Sequence, residues 1–529
     1  GGGLQVPAAP ALPRSAPEIR IEPRAAPAAP RASGDARIVV RALRLEGHAL
    51  YPEAQLLALA QFTPGSELTL ADLEGMALRI TQHYRANGYF VAQAYLPAQD
   101  IRDGVVTIAV SEGRFGALRL RNESNLSDHV AHSALANLKS GDAIATRPFE
   151  SGLLLLSDVP GVNVRSTLVP GTTPGTSDLM VDVLPGQRVT GSIDADNGGN
   201  RYTGAYRVGA TVNVNNPLGL GDVASLRVLT SGSGLRYGRG SYQLQAGRGQ
   251  VGVAYSRLSY ELGREFASLG ANGTADIASV FGRYPVLRTR DDNIYLQLAV
   301  EARRFEDHLD SVPSVTDRNA RVLMTSAFGD HRDDLGGGGV NSWFVTWSHG
   351  QLDIETPAAR AADALAARTN GRYDKLSFSA MRLQRIGGPF SVYASFSGQL
   401  ASKNLDVSER MSLGGMNGVR AFPEGEAYAD EGYVVTLEGR MDLPPPPAPI
   451  PGRLQLIAFA DGGSVKTNRN PWAPGDNRRS LGGAGLGVNW AEPGNFLVRA
   501  FVARRVGSER ATSAPDRPAR FWVQGVKYF

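Results

Sequence analysis

Apolar and polar residues alternate along most of the chain after Gln187. In the run YRVGATVNV (206–214) the apolar side chains occupy the even positions, and NIYLQLAVEA (293–302) shows the same alternation. A period of two is typical of β-strands, because successive side chains point to opposite faces. Each run holds about 9 to 14 residues, enough for a tilted strand to cross the apolar layer of a membrane. There are about sixteen such runs, an even number that suits a closed antiparallel barrel.

The connections between these runs alternate in length. The short turns are NNPLGLGD, AGRGQ, RIGGPF and AEPGN. The other connections are mostly longer: ELGREFASLGANG, ETPAARAADALAARTNG, KTNRNPWAPGDNRRS and VGSERATSAPDRPA. A soluble β-sandwich or propeller explains alternating strands equally well, but it does not predict short turns on one side and long loops on the other. The alternation of short turns and long loops, together with a final strand FWVQGVKYF ending on Phe529, favours a transmembrane β-barrel over residues 188–529.

The region before the barrel contains one small α+β unit twice. Residues 38–113 predict the order β-α-α-β-β, and TLADLEGMALRITQHYRANGY within them carries apolar residues at helical spacing. Thr69 and Asp72 have the spacing of a capping box, and Gly88 is a suitable C-terminal stop for this helix. The same order recurs weakly over residues 114–187. An internal repeat of one supersecondary unit therefore precedes the barrel.

Residues 1–37 form a leader rich in proline and alanine. Prolines recur throughout it, which excludes a long unbroken helix and predicts an extended or disordered segment. Only APEIRIE (16–22) has room for a short helix.

Composition excludes several classes of function. The chain has no cysteine, so it has neither a disulfide framework nor a thiolate metal site, and its net charge of +4 does not indicate a nucleic-acid partner. No apolar run approaches the ~20 residues of a membrane-spanning helix. The motifs HExxH, GxSxG and GxxxxGK[ST] do not occur. His129 and His132 are three residues apart, but no further ligand cluster accompanies them. We therefore expect no catalytic residue, no metal and no cofactor, and a chain that is not an enzyme.

Several sequence blocks resemble the two-partner secretion transporters of the outer membrane, the TpsB type. YRANGYFVAQAYLPAQDIRDGVVTIAVSEGRFG resembles the first periplasmic POTRA domain of that family. NNPLGLGD, YPVLRTRDDN, LGGMNGVRAF and FADGG resemble further blocks in family order. The resemblance implies a transmembrane β-barrel of about sixteen antiparallel strands preceded by two α+β POTRA domains. The domains it implies are a plug or linker (1–37), POTRA 1 (38–113), POTRA 2 (114–187) and the barrel (188–529).

The resemblance also implies a lock inside the barrel. In the family, an arginine in an inward-folded loop pairs with an aspartate on the inner wall, and the matching residues here are Arg420 and Asp461. The strand RLQLIAFADGG supports this, because its alternation assigns Asp461 to the lumenal face. The alternative is that Arg420 lies in solvent and that Asp461 is merely a hydrated lumenal carboxylate. The residues assigned to the lipid face are Leu454, Leu456, Ala458 and Ala460, and those assigned to the lumen are Arg453, Gln455 and Asp461.

Two short motifs surround this pair. The loop motif is Val419, Arg420, Ala421 and Phe422, whereas the family commonly has glycine where Ala421 stands. If that position requires a positive φ, alanine is strained there. The strand motif contains Phe459 and Gly463, and a glycine series lies in the next strand. Those glycines would let a loop approach the wall closely, although simple bending of the barrel also explains them. The series consists of Gly483, Gly485 and Gly487.

The function implied by the resemblance is export of a large unfolded partner exoprotein from the periplasm to the cell surface. We expect the partner to carry a two-partner secretion domain, and we expect a monomeric barrel in outer-membrane lipid with its POTRA domains in the periplasm. Strand addition along a POTRA sheet edge would capture the exoprotein. Tyr84, Tyr89 and Tyr95 are candidates for that contact, although a place in the domain core explains them equally well. The main alternative is an insertase that assembles other barrels. A barrel enzyme and a plain diffusion porin are two further alternatives.

Overall fold

The computed structural model describes residues 18–21, 36–232, 234–312, 314–446 and 449–529. The chain divides into two compact units, the first ending at Gly186 and the second beginning at Gln187. Each unit has its own sheets and its own buried core. The leader outside Glu18–Ile21, including the plug or linker assigned to residues 1–37, lies outside the described residues.

The first α+β domain occupies residues 38–113. Its elements are β2 (Ile38–Val40), β3 (Ala42–Glu46), α1 (Glu53–Ala60), β4 (Ser66–Leu68), α2 (Leu70–Ala86), β5 (Gln93–Tyr95) and β6 (Val105–Ser111), and β1 (Glu18–Ile21) precedes them in the leader. The capping box is present, since the Thr69 hydroxyl accepts from the Asp72 N–H and the Asp72 carboxylate accepts from the Thr69 N–H. Gly88 follows α2 with a φ of +90°. A short β2–β4 ribbon, which periodicity does not predict, adds to the expected order.

Tyr84 lies in the core of this domain. Its ring is 1% exposed, and its hydroxyl donates to Glu112, 3.0 Å away. The Glu112 carboxylate also accepts from the backbone N–H groups of Ala49 and Leu50. Burial raises the pKa of the Glu112 carboxyl, but these hydrogen bonds outweigh burial and hold that pKa below its usual range. The side chain of Tyr84 therefore ties helix α2 to the end of strand β6.

The second α+β unit repeats the expected order without the extra ribbon. Its elements are β7 (Arg114–Asn122), α3 (Asp128–Ala134), α4 (Thr146–Ser157), β8 (Val162–Pro170) and β9 (Thr176–Pro185). β9 pairs with β8 on one side and with β7 on the other, and α4 contributes Phe149, Leu153 and Leu156 to the core beneath them.

The outer edge of β8 carries a strand from the leader. Glu18–Ile21 pairs in parallel with residues 165–168, so the sheet order is β1-β8-β9-β7. APEIRIE, the stretch of the leader with room for a short helix, is instead a β-strand over Glu18–Ile21. A four-residue helix could not satisfy the backbone N–H and C=O groups of this segment internally. The segment is extended because the free edge of β8 offers partners for those groups.

The second compact unit of the chain, which begins at Gln187, is a closed barrel. Within the described residues, sixteen strands pair with their neighbours in antiparallel order, and the last strand pairs back onto the first. They are β10 (Val189–Asp196), β11 (Arg207–Asn215), β12 (Val223–Thr230), β13 (Leu235–Ala246), β14 (Gly249–Glu261), β15 (Ala271–Arg288), β16 (Asp292–Leu309), β17 (Ser314–Asp333), β18 (Gly339–Ile354), β19 (Gly371–Gly387), β20 (Phe390–Ala401), β23 (Glu431–Asp442), β24 (Arg453–Lys466), β25 (Arg478–Glu492), β26 (Phe496–Arg505) and β27 (Ala519–Tyr528). The loop between β20 and β23 contains a separate short ribbon of β21 (Met411–Ser412) and β22 (Tyr428–Ala429). The predicted fold class is confirmed.

The alternation predicted from sequence sets which face each side chain occupies. On β24, Leu456, Ala458 and Ala460 are exposed on the outer face, whereas Phe459 and Asp461 are buried on the inner face.

One long loop carries helix α5 (Pro357–Leu365), and short 3₁₀ turns lie at Arg264–Leu269, Leu335–Gly337 and Val407–Glu409. Among the described residues, no helix combines the length and hydrophobicity needed to cross a membrane.

Candidate functional site

The loop between β20 and β23 folds back against the inner wall of the barrel. Its base is the β21–β22 ribbon, in which Met411 pairs with Ala429 and Ser412 with Tyr428. The tip between these short strands is buried, and Val419 and Phe422 are 0% exposed. Both residues belong to an apolar cluster that includes side chains from β24, β25, β26 and β27. The loop is therefore part of the packed interior of the barrel.

Arg420 lies at the centre of this tip and binds Asp461 with a two-pronged geometry. Its Nε donates to Oδ2 and its Nη2 to Oδ1 of Asp461, each over 2.8 Å. The backbone N–H of Arg420 donates to Oδ2 as well, over 3.1 Å. Each residue is 4% exposed. A planar guanidinium matches a carboxylate in this way, and lysine cannot reproduce the arrangement.

A second carboxylate completes the binding of the guanidinium. Nη1 of Arg420 donates to Glu438 Oε1 over 2.8 Å, and Arg440 binds the other oxygen of Glu438. The Thr436 hydroxyl donates to Asp461 over 3.0 Å. Two cations thus face two carboxylates, so the buried cluster is balanced in charge.

Two aromatic rings cover the guanidinium. The Cζ atom of Arg420 lies 3.4 Å from the centroid of the Phe459 ring and 4.8 Å from that of Phe501. A weakly hydrated guanidinium is attracted to the face of such rings, most strongly when water is excluded. The Trp522 indole N–H donates to the backbone carbonyl of Arg420 over 2.7 Å. Side chains of β23, β24, β26 and β27 therefore hold this one residue.

The glycine series makes room for these groups. A Cβ on Gly483 would lie 2.6 Å from the Cβ of Ala421, so the loop touches the wall there. A Cβ on Gly463 would lie 2.4 Å from Leu413, at a second point of loop contact. At Gly485 and Gly487 the missing Cβ leaves space for the rings of Phe459 and Phe501, respectively. Close approach, rather than bending alone, accounts for all four glycines.

Ala421 is not strained. It does not have a positive φ, and its side chain is 2% exposed against Gly483. The condition under which alanine would be strained, a left-handed backbone at this position, is not met in this chain. The departure from the family motif is accommodated because the wall, rather than the loop, carries the glycine at the contact.

The acidic residues of the loop are also bound. Glu426 accepts hydrogen bonds from the backbone N–H groups of Thr512 and Ser513 and from their hydroxyls, and it pairs with Arg479. Asp430 pairs with Arg410 over 3.1 Å. Earlier in the loop, Glu409 pairs with Arg303 and Lys375. The tip is therefore anchored through its acids as well as through Arg420.

The three tyrosine candidates lie apart from this site, in the first α+β domain. Tyr84 is fully buried, so its side chain is a core element and does not reach a bound chain. Tyr89 and Tyr95 are partly exposed, and both remain predicted exoprotein contacts. Among the described residues, no group of three or more histidine, aspartate or glutamate side chains is placed to hold a metal ion.

Sequence reasoning missed Glu438, Phe501 and Trp522. Alternation along EGYVVTLEGR places Glu438 on the lumenal face with Thr436, so a signal for that carboxylate was present. Its position beside Asp461 depends on the register of β23 against β24, in which Thr436 faces Asp461. Phe501 and Trp522 come from strands about 80 to 100 residues beyond Arg420, and no local pattern links them to the loop.

A side chain at Gly483 should displace the loop tip. We expect Gly483→Val to push Ala421 from the wall and to destabilise the packed tip by about 1–3 kcal/mol, the usual cost of overpacking. The readout is cleavage of the folded chain by an added protease within residues 413–427, which should become faster. Gly439→Val is the matched control, because a Cβ there meets nothing within 4 Å. Equal cleavage rates in the two variants would contradict the contact.

Comparisons with known proteins agree with this architecture. The family of haemolysin secretion/activation proteins ShlB/FhaC/HecB matches residues 175–490, and the ShlB-type POTRA domain matches residues 38–113. The chain is 27% identical over 474 residues to the heme/hemopexin transporter protein HuxB of Haemophilus influenzae, covering 88% of this chain and 82% of HuxB. It is 23% identical over 425 residues to the outer membrane transporter CdiB of Dickeya dadantii, covering 78% and 73%.

Solved structures with the same fold include two bacterial barrels. CdiB from Escherichia coli superposes with a TM-score of 0.72 at 21% identity, covering 95% of this chain and 93% of CdiB. BamA from Haemophilus ducreyi, lacking POTRA domains 1–3, superposes with a TM-score of 0.56 at 15% identity, covering 93% and 100%. The resemblance found in the sequence is confirmed by the family match, which extends over more than half of the chain. The chain belongs to the haemolysin secretion/activation protein family ShlB/FhaC/HecB, and it is an outer-membrane transporter of the two-partner secretion type with its POTRA domain in the periplasm.

Proposed function

We propose that this transporter exports one large exoprotein, bearing a two-partner secretion domain, through its barrel in an unfolded form. The observation that carries the proposal is a closed barrel whose interior holds a loop tip tied to the wall by a buried, two-pronged ion pair. A transporter chain needs no nucleotide for such a step, because folding of the exoprotein outside would bias its direction. The chain acts in this proposal as a channel and not as an enzyme.

Capture of the exoprotein would occur at the edge of β8. The leader strand Glu18–Ile21 already pairs there with residues 165–168, so this edge accepts an added parallel strand. Backbone hydrogen bonds give such an addition its affinity, and they require no particular sequence. We infer that residues 114–187 are a second POTRA domain, since they repeat the element order of residues 38–113. An exoprotein strand would then compete with the leader for one edge.

The pair of Arg420 and Asp461 would hold the loop in its inward position during export. Separation would leave Asp461 and Glu438 buried without the guanidinium, at a cost of several kcal/mol. The loop is therefore a fixed part of the pathway in this proposal, and the exoprotein passes beside it. We propose that the barrel acts as a monomer, since its sheet is closed and needs no strand from a second copy.

Export in a cell lacking its own transporters of this family tests the function. We expect an exoprotein with a two-partner secretion domain to reach the medium only when this chain is present, and to remain in the periplasm otherwise. The abundance of other outer-membrane barrels is measured in the same cells. An unchanged exoprotein distribution, together with a rise in correctly assembled barrels, would overturn export in favour of assembly.

A further inference from the structure

The outer face of the barrel has a groove over strand β13. Gly238 and Gly240 follow one another on this face, and a Cβ at either position would meet nothing within 4 Å. Their register partners carry side chains, which form the two walls. The floor is therefore bare backbone between raised sides. The wall residues are Val228 and Leu226 on β12, and Arg257 and Tyr255 on β14.

The groove is mainly apolar and has the size of a ligand site. A cavity of about 620 Å³ overlaps the part of this groove at Gly238, Val228 and Arg257 and continues over β11 and β10. Its volume is within the roughly 300–1,000 Å³ of typical ligand pockets. Ile193, Val208 and Val228 line it and are exposed to the barrel's exterior. In a membrane protein this surface faces acyl chains. A hydrocarbon chain fits such a lining without any polar partner.

Two arginines stand at one end of the groove. Arg236 and Arg257 both line the cavity and are both exposed. Arg257 is 60% exposed at its side chain and forms an ion pair with Asp276 over 3.5 Å, so Arg236 supplies the net positive charge at this end. Neither guanidinium is enclosed by protein as that of Arg420 is. Two outward-facing cations beside an apolar groove are suited to a ligand with an anionic head and a hydrocarbon body.

This end of the groove lies at the extracellular side of the membrane. β10 follows the periplasmic domains, so it starts on the periplasmic side, and each later strand reverses direction. Arg236 near the start of β13 and Arg257 near the end of β14 are thus at the outer surface. Further exposed arginines lie on later strands, either in the same register row as Arg257 or one outer-face pair below it. They are Arg304, Arg321 and Arg372.

We propose that this groove is a binding site for a phosphorylated lipid of the outer leaflet. One acyl chain lies along Gly238 and Gly240, and a head-group phosphate binds Arg236 and Arg257. Arginine binds phosphate oxygens through two parallel N–H donors, and charge-assisted bonds of this kind are the strongest available at an interface. The site is separate from the export pathway, since it is on the outer face of the wall.

Native mass spectrometry of the full-length chain in detergent tests the site, with bisphosphorylated lipid A as the probe. We expect one bound lipid A, and we expect at least tenfold weaker binding by the double variant Arg236→Gln with Arg257→Gln, which removes about 1.4 kcal/mol or more. The double variant Gly238→Leu with Gly240→Leu fills the groove and keeps both charges, so it should also lose the lipid. Gly439→Leu, at an exposed outer-face glycine of β23, is the control and should bind normally.

Two further measurements separate the contribution of the head-group phosphate from that of the acyl chain. Dephosphorylated lipid A should bind at least tenfold more weakly than lipid A, and inorganic phosphate should not displace lipid A, because it lacks the chain that fills the groove. Equal binding of the dephosphorylated lipid would overturn the role of the arginines. Normal binding by the groove-filling variant would overturn the site. Heat-modifiable migration of each variant on gels establishes that its barrel is folded.

Discussion

Export is expected to fall at least tenfold when Arg420 is replaced by alanine. The substitution removes the only guanidinium that binds Asp461 in the described cluster, and it also removes one of the two cations on Glu438. Among the described side chains, the Thr436 hydroxyl is then the one donor left to the buried Asp461. Breaking a buried ion pair from one side typically costs about 3–5 kcal/mol, which weakens the attachment of the loop tip to the wall. The measurement is exoprotein in the medium, normalised to the amount of folded barrel in the membrane.

A double-mutant cycle separates the pair from other effects of truncation. Asp461→Ala should also impair export, and the variant with both substitutions should be little worse than either single one, since the interaction can be lost only once. Arg420→Lys keeps the charge but loses the two-pronged geometry, so it should remain defective. Additive losses in the cycle, or full export by Arg420→Lys, would contradict the proposed lock.

The barrel was predictable from sequence because its signal is local. Alternation at a period of two assigns each side chain to a face, and the same parity by itself assigns Asp461 to the lumen. The partner of Asp461 was not derivable in this way. A loop residue about 40 positions earlier has no periodic relation to a strand, so Arg420 was identified through the family motif.

The remaining parts of the site depend on register and packing between distant strands. Glu438 is beside Asp461 only because Thr436, two residues before it, pairs with Asp461. The leader strand is a similar case. EIRI carries no strong signal of its own, and its conformation is set by the open edge of β8, which lies about 145 residues further along the chain. A non-local backbone partner overrides local preference in this segment.

Deleting residues 38–186 should abolish export and leave a conducting pore. All sixteen described barrel strands lie between Val189 and Tyr528, and none of them pairs with a strand of the deleted region. The barrel therefore keeps every backbone hydrogen bond of its sheet, and the loop keeps Arg420 and its partners. What is lost is the β8 edge, the proposed site of capture. We expect ion conductance in planar bilayers and no exoprotein in the medium.

Two shorter deletions locate the capture step within the lost region. Removal of residues 38–113 spares β8 but takes away Tyr89 and Tyr95, so the remaining chain should still bind the exoprotein's secretion domain in a pull-down from detergent, although more weakly. Removal of residues 114–186 takes the edge away, so binding should fall to background. Unimpaired export by either the long deletion or the deletion of residues 114–186 would contradict capture at β8. A pore that conducts without exporting would instead show that passage through the barrel depends on delivery of the chain by its periplasmic domains.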